Sequence, residues 1–405
     1  MELKGKKRLY IIGALCLFLG LLTLVFSVFH LKEKGRGLTL RRLSLSEIPG
    51  PCCQRPENIK EGVRTSISIL SSSNQRYFPL FGKKIDRNKL LNALKLLKSR
   101  LDKGSDLKSA LHGIFEPFEL VEGGKEGRGL VTGYFQPRLK GSLLRTADFS
   151  VPVLGWPRDL IQVRLWDFDN SLPRRSLWGR LENKRLVPYY SRLEIDKRLK
   201  ERRESMPVIC WLKNPVDLLE LQIQGSGIIE AGNETRFIHY TASNGRPYVS
   251  LGRLLIKEGI FPKKGLDWPS IRKWAEENPG LFNRFLSKNE RYVFFKWEKE
   301  GPVGCYGRLL VPGVSSAFDR RVFPPAVPLL VRLELPETRK SLKWLKGGEG
   351  EMKTLFVLNH DTGSAIKGPL RMDLYAGTGE AAGELAGHLK SRARMIVLLP
   401  ASSLK

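Results

Sequence analysis

The sequence is poor in the residues that build metal and redox sites. Its 405 residues include five cysteines and five histidines, and no two cysteines are spaced as C-x-x-C. A structural zinc site is therefore not expected, because such sites take their thiolates from closely spaced pairs. His360 and His388 fit no standard ligand spacing, so we expect no metal. The adjacent Cys52 and Cys53 can be buried thiols, or they can form disulfides with cysteines further along the chain.

Two common enzyme signatures are also missing. The G-x-S-x-G elbow of serine hydrolases does not occur in the sequence. A glycine pattern that begins at Gly377 is similar to a dinucleotide-binding sequence, but it lies too close to the end of the chain for a βαβ unit to follow. We therefore expect no cofactor.

Acidic residues are scarce, with 41 Asp and Glu against 69 Lys and Arg, which gives a formal net charge of +28. Such a field attracts polyanions, which include nucleic acid, an anionic membrane and an anionic polymer. No helix-turn-helix, zinc-binding or aromatic RNA-binding signature accompanies the charge, so nucleic acid is not the expected partner. A DNA mobility shift at physiological ionic strength would support that alternative.

A long uncharged run, from position 10 to position 29, follows a basic start at the N-terminus. Its 20 residues are enough to cross a bilayer as a helix. No small-x-small cleavage site follows it, which favours an uncleaved anchor at 1–30 over a signal peptide. Basic residues flank the run on both sides, so the charge rule does not set its orientation. Residues 31–60 are basic and turn-rich, which is typical of a tether.

Beyond Gly123 the residue pattern changes to short apolar runs separated by Gly, Pro and Asn. Such spacing predicts a mainly β fold built from barrels, with few helices. The predicted strands lie at 130–135, 218–223, 237–240, 292–295, 327–333, 355–358 and 370–375. Helical periodicity is confined to 86–101, 269–277 and 380–390.

Two aspartates are predicted to come together near the C-terminus. The strand at 355–358 leads into Asp361, and the strand at 370–374 brings Asp373 back beside it, so adjoining strands would deliver two carboxylates. Paired carboxylates are the usual equipment for cleaving a glycosidic bond. One of them must stay protonated, and an apolar wall or a neighbouring carboxylate can raise its pKa. The alternative is a turn-capping aspartate and a surface salt bridge.

The segment 218–227 alternates apolar and polar residues, which predicts a strand whose polar face carries Gln222 and Gln224. Amide side chains suit sugar hydroxyls because each offers donors and an acceptor. Gly225 and Ser226 follow in a turn where a ligand could approach the backbone. The alternative is an ordinary amphipathic strand that ends in a flexible turn.

Eight segments, taken in order, resemble the A-type membrane-bound lytic murein transglycosylases. They lie at 132–134, 224–227, 244–248, 292–296, 316–319, 361–368, 371–373 and 377–382. The resemblance departs from the family pattern at Gln136, at Ser364 and at 325–327. None of these departures touches Asp373.

The resemblance implies a fold and a set of site residues. The fold would be a barwin-type double-psi β-barrel from 61–137 and 293–402, with a second β-barrel inserted at 138–292 and the glycan in the groove between them. Asp373 matches the family's catalytic aspartate, and Asp361 matches its neighbouring aspartate. The expected substrate contacts are Tyr134, Gln222, Gln224, Gly225, Ser226, Tyr240, Asn244, Asp319, Lys367 and Arg371.

The implied activity is cleavage of the β-1,4 bond between N-acetylmuramic acid and N-acetylglucosamine, with Asp373 as the single acid and base and a 1,6-anhydromuramic end as product. The implied partner is peptidoglycan, bound by a monomer that is anchored in the membrane of a bacterial envelope and faces the periplasm. Two alternatives remain. One is a non-catalytic peptidoglycan-binding protein of the barwin-like kind, and the other is a hydrolase that uses water on the same scaffold.

Overall fold

The computed structural model describes residues 38–404 except 49, 51–52, 82, 123–124, 127, 202–205, 263–265, 339–340 and 346–351. The predicted anchor at 1–30 and Cys52 lie outside the described residues. Among the helices of the described part, none is both long and apolar enough to cross a membrane. Cys210 is a buried thiol, and the Cys305 thiol is exposed.

The architecture is mainly β, as predicted. The strands are β1 (Leu38–Arg42), β2 (Tyr77–Leu80), β3 (Lys83–Asp86), β4 (Phe115–Glu122), β5 (Lys125–Glu126), β6 (Arg128–Gln136), β7 (Arg138–Ser142), β8 (Val151–Leu154), β9 (Ile161–Arg164), β10 (Ser176–Glu182), β11 (Arg185–Pro188), β12 (Val208–Leu212), β13 (Ser226–Ala231), β14 (Glu234–Ser243), β15 (Val293–Glu298), β16 (Ser315–Ala317), β17 (Pro328–Glu334), β18 (Met352–Asp361), β19 (Arg371–Thr378) and β20 (Lys390–Pro400). Six of the seven predicted strands overlap these elements.

Helices are more numerous than the sequence patterns predicted. They are α1 (Pro56–Ser71), α2 (Arg87–Asp102), α3 (Leu107–Leu111), α4 (Arg192–Lys200), α5 (Pro215–Gln224), α6 (Leu251–Lys257), α7 (Trp268–Glu277), α8 (Pro279–Leu286) and α9 (Glu380–His388), with 3-10 turns at Leu45–Glu47 and Leu165–Asp167. The predicted leucine-striped helix is α2, and the Asp86 carboxylate caps it by accepting hydrogen bonds from two backbone N–H groups.

The first unit is built on a nine-stranded sheet in the order β1-β4-β20-β17-β18-β16-β19-β6, with β5 on the edge of β4. β20 also pairs with β6, so the hydrogen bonding through six of these strands returns to its start. Apolar residues of the strands form one core with α1 and α2. The helix α1 packs closely against this core at Gly62, where a Cβ atom would lie 2.4 Å from Val314 Cγ1.

The second unit begins as the chain leaves β6 and ends with β15. Its six-stranded sheet has the order β15-β14-β13-β7-β12-β8, and its own core packs inside it. The helices α5 to α8 form a third cluster beside that core. A separate three-stranded sheet, β11-β10-β9, lies within the same stretch of chain. The second unit is thus an insertion in the first.

Two boundaries from the sequence are wrong. Part of the supposed tether at 31–60 is structured, because β1 pairs with β4 and α1 already begins at Pro56. The predicted return to the first unit at residue 293 comes too early, because β15 pairs with β14 of the second sheet. The first unit therefore starts before residue 61 and resumes after β15.

The segment 218–223 was predicted as a strand and is helical. Asn214 caps α5 by accepting a hydrogen bond from Asp217 N, Pro215 occupies its first turn, and Gly225 ends it with a φ of +78°. Both the apolar and several polar side chains of α5 are buried, because the helix contacts elements on more than one side. The alternating pattern is therefore not a sign of a half-exposed strand here.

Candidate active site

Asp373 lies in β19, opposite Thr132 of β6 and Ala317 of β16. Thr132 Oγ1 donates a hydrogen bond of 2.5 Å to Asp373 Oδ1. Arg371, on the same face of β19, donates from Nη2 to Thr132 Oγ1 at 2.8 Å. The threonine hydroxyl therefore accepts a hydrogen bond from the guanidinium and donates one to the carboxylate.

Burial, together with a smaller effect of the nearby charge of Asp361, raises the pKa of Asp373 to about 6. The hydrogen bond from Thr132 and the charge of Arg371 act in the opposite direction but do not cancel the effect of burial. A carboxyl group in this range can hold a proton near neutral pH and release it in a reaction.

Asp361 ends β18 and is held by more donors than Asp373. Its Oδ2 accepts from Tyr134 Oη at 3.0 Å, and its Oδ1 accepts from the backbone N–H groups of Cys305 at 3.0 Å and Thr362 at 2.8 Å. Burial raises its pKa to about 6 in spite of these hydrogen bonds. Burial and the two aspartates also raise the pKa of the Tyr134 phenol.

The strands that carry the two aspartates do not adjoin, contrary to the prediction. β16 lies between β18 and β19, with Ser316 beside Asn359 on one side and Leu374 on the other. Strand β6 also connects the two aspartates, because Thr132 and Tyr134 lie two residues apart on one face of this strand. One strand thus contacts both carboxylates.

Asp319 holds the loop between the two aspartates in place by accepting a hydrogen bond from the loop backbone. This side chain is 2% exposed, and its Oδ2 accepts from Gly368 N at 2.8 Å. Arg321 donates to the same carboxylate from its backbone and its guanidinium, and holds its pKa well below the usual range. Asp319, a predicted substrate contact, therefore has a structural role.

A cavity of about 230 Å³ lies between the two units and includes Asp373. The first unit contributes Asp373, Arg371 and the loop 363–366. The second unit contributes Arg192, Leu219, Gln222, Ile223, Tyr248, Asn289, Arg291 and Val293. The predicted residues Asp373, Arg371 and Gln222 are thus brought together in one cleft, and Lys367 is exposed on the adjoining loop.

Gln222 is oriented by the guanidinium of Arg192, which no sequence pattern predicted as part of the site. Arg192, 2% exposed, donates from Nη2 to Gln222 Oε1 and to Arg291 O, and from Nε to Asn289 O. These bonds hold α4, α5 and the segment before β15 together at the wall of the cleft. No motif signals Arg192, because its partners are distant in sequence.

The other predicted contacts lie away from the carboxylates or have their polar groups occupied. Gln224 Oε1 accepts from Phe135 N at 3.1 Å and lines a separate cavity of about 180 Å³. Gly225 O accepts from Tyr240 N, and Ser226 pairs with His239 in the second sheet. The side-chain amide of Asn244, a residue that is 1% exposed, is hydrogen-bonded to backbone groups of Tyr190, Arg246, Glu290 and Tyr292.

Three further residues belong to the site although no sequence pattern assigned them to it: Tyr248 and Arg291 line the cleft, and Thr132 contacts Asp373. Thr132 and Tyr248 lie in segments that carry the family resemblance, which was an available signal. Arg291 carries no such signal, because in a basic chain an arginine of the site cannot be distinguished by sequence from one on the solvated surface.

A mainly β protein of two units, with one carboxyl group of raised pKa at the cleft between them and a second close to it, is equipped to cleave glycosidic bonds. Comparison with known proteins narrows this class. Residues 130–296 match the family described as "MltA specific insert domain", and residues 314–399 match the "3D domain". The chain belongs to the family of A-type membrane-bound lytic murein transglycosylases.

Individual relatives agree with this assignment. Membrane-bound lytic murein transglycosylase A of Vibrio cholerae is 29% identical over 301 residues, which cover 73% of this chain and 72% of that protein. The fold is similar to that of a membrane-bound lytic murein transglycosylase from Agrobacterium tumefaciens, with a TM-score of 0.73, 24% identity, and coverage of 89% of this chain and 98% of the other. MltA from Neisseria gonorrhoeae gives a TM-score of 0.69 at 26% identity, over 91% of this chain and 94% of the other.

Proposed function

We propose that the protein is a lytic transglycosylase that cleaves the β-1,4 bond between N-acetylmuramic acid and N-acetylglucosamine in peptidoglycan. The observation that carries this proposal is Asp373, a half-buried carboxyl with a pKa raised to about 6 at the inter-unit cleft of a chain in this family. The basic net charge of +28 suits a polymer that carries carboxylates.

Asp373 acts in turn as acid and base. In its protonated form it donates to the glycosidic oxygen, and the bond to the anomeric carbon breaks. The resulting carboxylate then accepts the proton of the sugar's own C6 hydroxyl as that oxygen bonds to the anomeric carbon. The product is a 1,6-anhydromuramic end, Asp373 regains its proton, and no water is consumed.

One carboxylate suffices because the nucleophile belongs to the substrate. Intramolecular attack avoids the entropy cost of bringing in a second reactant. General acid–base catalysis typically contributes about 10²–10⁴-fold to the rate. Asp361 helps Asp373 hold its proton, because a second buried carboxylate disfavours ionisation of the first.

The glycan lies in the cleft between the two units in this proposal. Gln222 and Arg371 are its contacts beside Asp373, and Lys367 meets its carboxylates from the exposed loop. Tyr134 acts through its hydrogen bond to Asp361. Gln224, Gly225, Ser226, Tyr240 and Asn244 serve by shaping the second unit, to judge from their internal contacts.

The finer architecture and the setting of the protein are part of the same proposal. The closed hydrogen-bonding path through six strands supports a double-psi β-barrel for the first unit, and the second six-stranded sheet would be the inserted barrel. The protein would act as a monomer in the periplasm of a bacterial envelope, held to the membrane by residues 1–30.

Mass spectrometry of digested sacculi tests the activity. The full-length protein in detergent is expected to release muropeptides that end in 1,6-anhydromuramic acid, and Asp373→Asn is expected to release none while keeping its fold by circular dichroism. Reducing ends would identify a hydrolase. A wild-type protein that sediments with sacculi and releases nothing would identify a binding module.

A further inference from the structure

The small sheet of the second unit has an entirely apolar side. Strand register places Leu177 opposite Val163, and Leu181 opposite Leu186, so these side chains share one face. The face, here called the outer face, consists of Ile161, Val163, Leu177, Leu181, Leu186 and Pro188 around Gly179. Its leucines are 37%, 66% and 42% exposed at positions 177, 181 and 186.

The opposite side of this sheet explains which way the outer face points. Trp178 packs against the core of the second unit, and the guanidinium of Arg180 stacks 4.1 Å from the ring centroid of Tyr190. The outer face therefore turns away from the unit. Its side chains belong to none of the hydrophobic clusters formed by the described residues. Such an unpartnered apolar face on a surface marks an interaction site.

Cations lie at both ends of the central strand, β10. Arg174 and Arg175 precede it, while Lys184 and Arg185 follow it at a two-residue turn in which Asn183 and Lys184 have φ of +48° and +62°. All four are exposed, and within the described residues none of the four takes part in an ion pair. Strand register places Arg185 opposite Glu182 on the other side of the sheet, so Lys184 in the turn and the arginines before β10 supply the positive charge at the two ends of the apolar strip.

The loop between β9 and β10 adds two more exposed apolar side chains. Phe168 is 76% exposed and Leu172 is 39% exposed. These two side chains add exposed apolar surface in the loop that leads into β10, and the same loop carries Asp169 and Asp167, the latter paired with Arg164.

We propose that the outer face docks onto an anionic membrane surface. Apolar side chains would enter the boundary between headgroups and acyl chains, and the cations at the two ends of β10 would meet anionic headgroups. This contact is separate from the anchor predicted at 1–30, which would bring the membrane within reach. It would fix the orientation of the second unit above the bilayer.

Two other occupants fit less well. Three strands about 4.8 Å apart and up to seven residues long present roughly 300 Å², well short of the roughly 800 Å² per partner that a stable dimer buries. A glycan needs donors and acceptors for its hydroxyls, and the side chains of the outer face offer none. A bilayer requires neither a large complementary area nor polar side chains at the centre.

Hydrogen exchange of the full-length protein in nanodiscs tests the proposal. The discs contain phosphatidylcholine alone or phosphatidylcholine with phosphatidylglycerol, so that the anchor is satisfied in both. Exchange at 161–188 is expected to be several-fold slower on the anionic discs, whereas exchange in the first unit is unchanged. Leu181→Glu with Leu186→Glu is expected to abolish this protection, and Lys184→Glu with Arg185→Glu is expected to abolish the difference between the two lipids.

The matched control is Leu144→Glu, the same change at a leucine of the second unit that is 76% exposed and lies outside the outer face. It is expected to keep the protection. All variants are expected to cleave sacculi in detergent at the wild-type rate, which shows that they fold. Equal exchange on both discs and in detergent would overturn the proposal. So would protection that grows with protein concentration in detergent, which indicates a second copy, or protection by sacculi without lipid, which indicates a glycan.

Discussion

The pKa of Asp373 results from opposing influences at single residues. Burial and Asp361 raise it, and Thr132 and Arg371 lower it. A general acid works only while it is protonated, so the alkaline limb of the pH–rate profile follows this pKa. Changing each neighbour should therefore move that limb in a direction that can be stated in advance.

Thr132→Val is expected to move the alkaline limb upward by about one to two pH units, because a hydrogen bond to a carboxylate is worth about 1.5–3 kcal/mol and one pKa unit corresponds to about 1.36 kcal/mol. Without the hydroxyl, the ionised form of Asp373 loses its donor, so the proton is held to higher pH. The profile of kcat against pH measures the shift. Thr132→Ser keeps the donor and should restore the wild-type limb. A shift toward acid would mean that Arg371 binds Asp373 directly in its place.

Asp361→Asn is expected to move the same limb in the opposite direction. The charge of Asp361 raises the pKa of Asp373, so its removal lets Asp373 ionise at lower pH. The loss of rate at pH 5 should be much smaller than for Asp373→Asn, because Asp361 transfers no proton in the proposed reaction. If Asp361→Asn abolished the reaction at every pH, Asp361 and not Asp373 alone would carry the proton.

Elements differ in how far the sequence predicts them. Strands with a continuous apolar run, such as β17 and β18, were predicted within a few residues because both faces of each strand are buried. α5 was taken for a strand because its polar residues are buried too. Glu220 binds Arg272 and Trp268, and Gln222 binds Arg192. Local alternation cannot reveal partners that arrive from distant segments.

The N-terminal elements were missed for a related reason. Strand β1 and helix α1 carry few local sequence patterns that predict secondary structure. Their stability depends on contacts with the first sheet. Gln54, 6% exposed, shows this dependence: its side-chain amide donates to Gly313 O and Phe356 O and accepts from Phe356 N. A single glutamine thus completes backbone hydrogen bonding that no strand supplies at this point.

Gln54→Ala is expected to lower the free energy of unfolding by about 2–4 kcal/mol, because it leaves buried backbone groups without partners. Urea denaturation followed by circular dichroism measures the change. The control is Gln75→Ala, an exposed glutamine whose amide donates to Tyr77 O, where a change of at most about 0.5 kcal/mol is expected. Equal effects of the two substitutions would show that the first unit does not depend on the Gln54 contacts.

At the scale of the whole molecule, the site exists only because two units meet. Asp361, Asp373 and Arg371 were predicted from one continuous segment, since the strand–loop–strand pattern around them is local. Gln222 was predicted on the polar face of a strand, whereas it reaches the cleft from a helix. Arg192, Tyr248 and Arg291 form the far wall, and only the packing of the second unit against the first brings them there.

The net charge of +28 acts on the same scale, through the encounter with the polymer. Raising NaCl from about 50 to about 500 mM shortens the Debye length from about 14 to about 4 Å and screens surface charge. The KM for sacculi is therefore expected to rise several-fold, while kcat stays constant because Asp373 and its neighbours are half-buried in the cleft and are screened less than exposed surface charge. Initial rates at several sacculus concentrations separate the two constants. Binding of an uncharged chitooligosaccharide is the control, since its Kd should not respond to salt. A fall in kcat at constant KM would mean that salt acts on the catalytic carboxylates and that the basic surface plays no part in capturing the substrate.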